Sequence, residues 1–417
     1  MTLLSLSLNY TPQSSIMDIS KYRKDFPLLN KEDSLIYLDS ACMTLRPQEV
    51  IDSITEYYTD YPACGGRSVH KLSWQVTEKF EMARDSLRKF VGAEQSSEIV
   101  FTKNATEGMN IVANGLRFKQ GDHVLTSDKE HNANVVPWHH LSKYNGISYD
   151  VLPPKDNYYF DTEALKESLT SKTKLFSFVH TSNLDGHTNP AKEIIEICHD
   201  KGVKVLMDIA QSAPHKEINV VDLDVDFAAA SAHKFCGPSG MGILYGKYDE
   251  LSNLVPTYVG GSTVINSTYE DYKLLPPPSC FEAGLQDYAG AIGSGTAAEY
   301  IMKVGRSNIQ EHENKLNRIM SDKLKDFDSI DVIGPPDVSQ RGGVFSFNID
   351  GWDPTEIAMH LDEEYNIAIR SGMHCVHSWF NSRGIDGTAR ASAYLYNNES
   401  DVLLFSSAIE EMLTKNG

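Results

Sequence analysis

The 417-residue sequence has no run of about 18 apolar residues, so no membrane-spanning helix is expected. Cysteine is scarce. The six residues, at 42, 64, 198, 236, 280 and 375, form no CxxC pair. That density excludes a disulfide scaffold and favours a reduced, cytoplasmic setting. Positive charge is also short: 38 Lys and Arg stand against 57 Asp and Glu, for a net charge of −19. Nucleic-acid binders usually carry a basic excess, so that class is disfavoured. Internal repeats and low-complexity linkers are missing. Residues 1–16 contain no positive charge, and their short apolar run is broken by serines, which argues against a secretory signal. A disordered tail is expected there, with a start at Met17 as the alternative.

What remains is ordinary globular material. Hydrophobic residues make up 41% and charged residues 23%, which leaves disorder, collagen and coiled coil unsupported. The length suits two domains, or one large domain with a satellite. Residues 98–101 (EIVF), 123–126 (HVLT), 175–179 (LFSFV), 203–207 (VKVLM) and 226–230 (DFAAA) read as buried strands. The clearest helix runs from Pro190 to about Lys201. Asn189 is placed to cap it, Pro190 suits its first turn, Ile194, Ile197 and Cys198 share a face, and Gly202 ends it. Alternating strands and helices imply an α/β fold with a mostly parallel sheet covered on both sides. Ligands then bind beyond the carboxyl ends of the strands. The stretch 249–290 reads as loops and a domain join. A helical pattern resumes from about 295, 343–349 reads as a strand, and 400–414 as a last helix, which suggests a smaller α+β domain. The expected division is a large domain over 35–290 and a small one built from 17–34 and 291–417.

The chemistry-bearing residues fall where strands end. Asp208 follows the strand at 203–207; alone, it is as readily a helix cap or ion-pair partner as a functional carboxylate. Ser231, His233 and Lys234 follow 226–230. Most lysines are solvated surface charges, but Lys234 lies between an apolar strand and a Gly/Pro/Ser/Gly loop, at the ligand edge of the sheet. A desolvated lysine loses its proton readily and can form a Schiff base. Cofactors of the pyridoxal type need that lysine and a carboxylate on the pyridine nitrogen. Thr106 and the amides near Glu107 and Gly108, at an expected helix start, can hold a phosphate, plain capping being the alternative. His131 can stack on a flat ring or be polar surface; Asn183 and Gln211 can hydrogen-bond the ring oxygen or the substrate. Towards the end, AIRSGMHCVHSW carries Arg370, His374, Cys375 and His377. Charged neighbours of that kind mark reactive cysteines. Arg390 can clamp an amino-acid carboxylate through two parallel hydrogen bonds. Metal binding by His374, Cys375 and His377 is a rival reading, but the spacing matches no common zinc pattern and no metal is expected.

Eight motifs in order then identify a family: YLDSA (37–41), VHKLS (69–73), ATEGMN (105–110), EHNANVVPW (130–138), DIAQS (208–212), SAHK (231–234), FEAG (281–284) and RSGMHC (370–375). Over about residues 20–415 the chain resembles the class V aminotransferase-fold pyridoxal 5′-phosphate enzymes, and among them the group II cysteine desulfurases and selenocysteine lyases. The resemblance implies a fold type I architecture, with a mostly parallel seven-stranded sheet in the large domain and a smaller α+β C-terminal domain. It implies that Lys234 is the Schiff-base lysine and Asp208 the pyridinium partner, that His131 stacks on the ring and that Gln211 lies near its hydroxyl. Thr106, Ser231 and His233 match phosphate ligands, Arg390 and Asn183 the substrate-carboxylate site, and Cys375 the cysteine that attacks substrate sulfur. The implied reaction turns L-cysteine, or L-selenocysteine, into alanine. The persulfide left on Cys375 passes to an acceptor such as an iron–sulfur scaffold protein. A homodimer is implied as well.

Three positions depart from the family: Gly66 and Met373, where histidine is common, and Leu285, where a threonine often reaches the neighbouring subunit's phosphate. That last contact is lost, or moved to Gln286 or to Ser262 and Thr263. Cys64, beside Gly65 and Gly66, is either a second active-site thiol or a small buried residue. Selenocysteine lyase, another carbon–sulfur lyase, an aminotransferase or an epimerase of the same fold, and a non-catalytic sulfur or metal carrier, are the competing functions.

Overall fold

A computed structural model of the chain describes residues 19–32, 34–156 and 158–415. The tail expected over 1–16 lies outside them. The order of strands is β1 (Ile36–Tyr37), β2 (Ile99–Thr102), β3 (His123–Thr126), β4 (Ser148–Val151), β5 (Thr173–Val179), β6 (Lys204–Asp208), β7 (Phe227–Ser231), β8 (Gly242–Gly246), β9 (Val264–Ser267), β10 (Tyr272–Leu274), β11 (Ile330–Ile333), β12 (Val344–Ile349), β13 (Ile367–Ala368), β14 (Arg370–Gly372) and β15 (Thr388–Ser392). Seven of them form one sheet in the order β2-β8-β7-β6-β5-β3-β4. Strand β8 alone runs antiparallel to its neighbours. Its reversal leaves β2 pointing the same way as β3, β5, β6 and β7, so those five carboxyl ends share one edge.

The apolar runs are unbroken because this sheet is covered on both faces. In β6, Val205 and Met207 join one buried cluster while Leu206 joins another. Strand β7 alternates in the same way, with Ala228 and Ala230 on one face and Phe227 and Ala229 on the other. The small residues of β7 admit the helix Ala105–Gly115 closely: a methyl group on Gly108 would lie 3.2 Å from the Ala229 side chain. The approach is tightest at Gly242, where a Cβ would stand 2.5 Å from the Ala230 carbonyl oxygen and 2.7 Å from the Asn104 Cα. Any side chain there would push the start of that helix off the sheet edge.

The helix expected from Pro190 spans Ala191–Asp200, with Ile194, Ile197 and Cys198 buried. Asn189 does not cap it. Its side chain donates instead to the Val179 carbonyl at the end of β5 (2.7 Å), which fastens the loop that follows that strand. The stretch 249–290 holds more than loops: Tyr248–Asn253 is a helix, and β9 and β10 form an antiparallel hairpin. The helical pattern resumes at Tyr288 rather than at about 295.

A second sheet, ordered β11-β12-β15-β14, is antiparallel throughout and carries the helices Pro354–Tyr365 and Glu399–Lys415. The segment before residue 35 reaches it, since Arg23 pairs with Asp401 at 2.9 Å and Phe26 packs edge-on against Tyr396 at 4.8 Å. Phe26 also meets Tyr300, in the helix Tyr288–Val304. We propose placing the join between the two bodies at Gly305 rather than at 290, because a Cβ on Gly295 of that helix would touch Ala83 of the helix Lys71–Val91 at 2.6 Å. No helix among the described residues is long and apolar enough to cross a membrane.

The FEAG motif has a structural task. Glu282 accepts from Arg84 through both oxygens (2.6 and 3.0 Å) and from the Phe101 amide (2.8 Å), while Arg84 donates to the Ile99 carbonyl (2.8 Å). The pair thus satisfies backbone groups on β2, the edge strand of the large sheet, and Arg84 lies over the rings of Phe80 and Phe101. Both side chains are buried, at 3% and 7% exposure. Removing one partner of such a pair leaves an uncompensated charge, so Glu282→Ala is expected to destabilise the protein by about 3–5 kcal/mol. Glu81→Ala, which removes the exposed partner of Arg84, is expected to cost under about 1 kcal/mol. Urea unfolding midpoints of the two variants check the contrast.

Candidate active site

The shared edge of the large sheet faces the small sheet across a cavity of about 250 Å³. From the large sheet come Thr106, in the first turn after β2, and His131, in the loop after β3. Asn183 follows β5, Asp208 ends β6 with Gln211 in the next turn, and Ser231 ends β7 with His233 and Lys234 just beyond. From the small sheet come Arg370 on β14, His374 and Cys375 in the loop after it, and Arg390 on β15. All the candidates named from the sequence for cofactor, substrate and sulfur therefore line one cavity. Ala41 and Cys42 are among the further residues of the wall. The sequence signal for both was available, because Ala41 closes the YLDSA motif and Cys42 is the next residue.

Lys234 donates from Nζ to the Ala41 carbonyl at 2.9 Å, and Gln211 donates to the same oxygen at 2.6 Å. Burial, reinforced by the Arg390 charge, brings the Lys234 amine down to about 8; Asp208 opposes that shift. Asp208 Oδ1 accepts from the Ala210 amide at 2.9 Å. Burial nevertheless raises this carboxylate to about 6. A cationic ring N–H placed against it would reverse that shift. His131 Nδ1 accepts from the Ala133 amide at 3.0 Å, and burial with the Lys234 and Arg370 charges holds the imidazole down at about 3, neutral. Ser231 Oγ accepts from the Ala105 amide at 2.9 Å, and Asn104 caps the same helix by accepting from Glu107 N–H at 3.0 Å. The amino terminus of this 11-residue helix thus opens on the cavity beside Thr106 and Ser231.

Across the cavity Arg390 is buried. It donates to the Asn183 carbonyl at 2.8 Å and to Asp39 at 3.4 Å, and its Nε has no partner. Asn183 in turn donates to the His374 carbonyl at 2.7 Å. His374 and Cys375 both have left-handed backbones, with φ of +47° and +61°. For residues other than glycine, that conformation costs about 1–3 kcal/mol each and persists only where the surroundings dictate it. Here the Asn132 amide holds the Cys375 carbonyl (2.7 Å), and His374 Nε2 meets Thr388 Oγ1 (2.7 Å). Arg370 touches Cys42 Sγ with one terminal nitrogen and lies 4.0 Å from Cys375 Sγ with the other.

The other positions singled out in the sequence have these surroundings. Cys64 is half-buried outside the cavity wall, with Sγ 3.7 Å from the Gly65 carbonyl. Gly66 is exposed with a φ of +70°, where a histidine would be strained. Met373 packs with Leu184, Trp379 and Phe380, away from the cavity. Leu285 is exposed, and Gln286 donates to the Glu282 carbonyl of its own turn (2.7 Å). Ser262 contacts Arg67, and Thr263 is tied to Gly260. The side chain of His377 is engaged by Asn132 at 2.9 Å, and no cluster of three or more metal-ligating side chains occurs among the described residues.

The family model described as aminotransferase class-V matches residues 36–405. A probable cysteine desulfurase of Halobacterium salinarum is 37% identical over 402 residues, covering 95% of this chain and 96% of that protein. The cysteine desulfurase of Haloferax volcanii is 36% identical over 417 aligned positions, covering 95% and 97%. Among solved structures, the apo cysteine desulfurase of Thermococcus onnurineus superposes with a TM-score of 0.91 at 35% identity, covering 97% of this chain and all of that one (100%).

The His374 imidazole, deep in the cavity wall, is pressed down to about 2 by burial and by the Arg390 and Arg370 charges. Its folded pKa lies below its unfolded value of about 6.5, so its stabilising contribution is complete above that value and is lost as pH falls below it. Each pH unit below about 6.5 then costs about 1.4 kcal/mol from this one group. In His374→Asn the loss of stability between pH 7 and pH 5, about 1.5 pH units of which lie below 6.5, is expected to be shallower by about 2 kcal/mol. Urea midpoints at the two pH values measure it, and equal slopes in variant and wild type would refute it.

Proposed function

The chain belongs to the class-V aminotransferase family, and from that premise we propose that it is a pyridoxal 5′-phosphate-dependent cysteine desulfurase, taking sulfur from L-cysteine onto Cys375 and releasing alanine. The observation that carries the reading is the meeting, in one cavity, of a buried amine at Lys234, a buried carboxylate at Asp208 and a half-buried thiol at Cys375 beside Arg370. The donor set fits the cofactor. Lys234 would bond it, Asp208 would face its ring nitrogen, and His131 would lie on the ring. Gln211 and Asn183 would hydrogen-bond its edge, and Thr106, Ser231 and His233 would hold the phosphate at the helix terminus. When bound, pyridoxal 5′-phosphate supplies an aldehyde for the substrate amine and a ring that withdraws electrons from the substrate α-carbon.

The chain's own residues do the rest. Arg390, aided by Asn183, holds the substrate carboxylate. Lys234, with its proton affinity lowered to about 8, both gives up and takes back a proton near neutral pH, and serves as the base at the substrate α-carbon. Cys375 attacks the substrate sulfur. A sulfur–sulfur bond forms, the carbon–sulfur bond breaks, and its electron pair stays with the carbon skeleton, which takes up protons and leaves as alanine. Arg370 stands by the Cys375 sulfur as negative charge collects there. The persulfide then awaits an acceptor protein or an external thiol. Free cysteines at all six positions suit a reducing compartment.

We extend the proposal to a homodimer. The hairpin β9–β10 turns Ile265, Tyr269 and Tyr272 outward at 55%, 106% and 55% exposure, an exposed apolar and aromatic surface of the kind that a partner chain covers. Light scattering of the purified holoprotein is expected to give twice the 46.5 kDa chain mass. Ile265→Asp combined with Tyr272→Asp is expected to shift it towards the monomer.

With L-cysteine and a dithiol reductant, the holoprotein is expected to release alanine and sulfide in equal amounts. Cys375→Ala and Lys234→Ala are each expected to abolish both products. Loss of alanine formation in Lys234→Ala but not in Cys375→Ala would replace this reading with a selenocysteine lyase or another carbon–sulfur lyase of the same fold. Failure of the wild type to form either product would remove the reading altogether.

A further inference from the structure

We propose that Cys42 is a second sulfur-carrying residue, which takes the outer sulfur from a persulfide formed on Cys375. This rests on the desulfurase reading and extends it. Of the six free cysteines, only Cys42 and Cys375 line the cavity, and both are half-buried rather than sealed in the core. They come from opposite ends of the chain. Cys375 sits in the loop after β14, and Cys42 in the turn after β1, where its amide donates to the Asp39 carbonyl at 3.1 Å.

One guanidinium spans the two sulfurs. Arg370 contacts Cys42 Sγ through one terminal nitrogen and lies 4.0 Å from Cys375 Sγ through the other. The sulfurs are therefore no farther apart than the width of that group and its two contacts. The longer gap is on the Cys375 side. A persulfide extends the Cys375 side chain by one sulfur–sulfur bond, about 2 Å, which carries its outer sulfur towards the guanidinium that also meets Cys42; the attack itself then requires the Arg370 side chain to swing aside. The left-handed backbone at His374 and Cys375 is pinned by Asn132 and Asn183, so the donor sulfur is held at the cavity wall rather than on a free loop. Cys42 is flanked by charge as well, lying close enough to Lys234 and Arg390 to act on both.

The transfer balances without an outside oxidant. The Cys42 sulfur, having lost its proton to solvent or a neighbouring base, attacks the outer sulfur of the Cys375 persulfide. A new sulfur–sulfur bond forms on Cys42, the old one breaks, and Cys375 leaves as a thiolate beside Arg370. The oxidation state of the transferred sulfur does not change. Cys375 is free for a second substrate while the first sulfur waits on Cys42, so the site can hold two sulfurs per chain.

The test is a single turnover of wild-type holoenzyme with one equivalent of L-cysteine and no reductant. The reaction is quenched over time with an alkylating agent and mapped by peptide mass. An extra sulfur is expected first on the Cys375 peptide and then on the Cys42 peptide. In Cys42→Ala it is expected to stay on Cys375, and in Cys375→Ala to appear on neither. Sulfur confined to Cys375 in the wild type, with alanine still formed, would overturn the relay and leave the desulfurase reading standing. Sulfur on Cys42 in Cys375→Ala would overturn it in favour of independent pick-up. A disulfide-linked Cys42–Cys375 peptide would overturn it too, by showing attack on the inner sulfur with release of sulfide. No sulfur on either peptide and no alanine would overturn both the relay and the reading beneath it.

Discussion

An ammonium group taken out of water without a full counter-charge must give up its proton or stay costly, and the site is arranged around that fact at Lys234. Two features keep the amine poised rather than simply neutral. Arg390 pushes its proton affinity down, and Asp208 pulls it partly back. The balance lands near 8, where both protonation states are populated at neutral pH. Such a balance needs fixed distances. The Ala41 carbonyl, which accepts from both Lys234 and Gln211, holds the amine to the strand-end turns of the large sheet. A surface lysine has no comparable anchor, and its amine titrates as it would in water.

Ala41 is reliable because its segment is stitched to the small sheet. Leu38 donates to the Ala368 carbonyl (2.8 Å) and accepts from the Ser392 amide (2.6 Å), and the Ala41 amide donates to the Ser392 hydroxyl (2.9 Å). Asp39, one turn of chain before Cys42, receives Arg390 from β15. A few residues around 38–42 thus couple the positions of Lys234, Arg390 and Cys42. This is why a cavity assembled from two separate sheets can hold its charges in register. Change in the angle between the sheets would move the amine's acceptor and Arg390 together.

Much of this was legible in the sequence, for a definable reason. Strands covered on both faces announce themselves as continuous apolar runs, and the residue just past such a run has only the sheet edge to occupy. Asp208, Ser231 and Lys234 can be placed on that logic alone, the ordered motifs take in His131 and Cys375, and Arg390 stands out beyond them as an arginine able to clamp a carboxylate. Three kinds of feature escape it. Side chains with a nearer partner than the expected one were misread: Asn189 looks like a helix cap, but the Val179 carbonyl lies within its reach. The role of Cys42 was hidden because it depends on a contact with Arg370, 328 residues away, and no local pattern encodes that. The hairpin at 264–274 looks like loop in the sequence because its strands are short, exposed and separated by polar residues, with no buried face to impose alternation.

The charge balance of the molecule finally argues for what the cavity accepts. The whole chain carries a net charge of −19, yet the cavity gathers Lys234, Arg370 and Arg390 against Asp208 and the nearby Asp39. Its histidines add nothing, because burial and these same cations hold His131, His233 and His374 neutral. A cationic pocket inside an acidic protein is unfavourable to leave unfilled and selective in what fills it, since low-dielectric walls strengthen each interaction while the surface repels anions that find no pocket. In the proposed reaction a phosphate, a carboxylate and a sulfur bearing negative charge would each meet a different positive group: the helix terminus by Thr106, Arg390 and Arg370. Each anion that settles also favours the protonated form of Lys234, so occupancy of the pocket itself moves the amine towards the state in which it can return a proton.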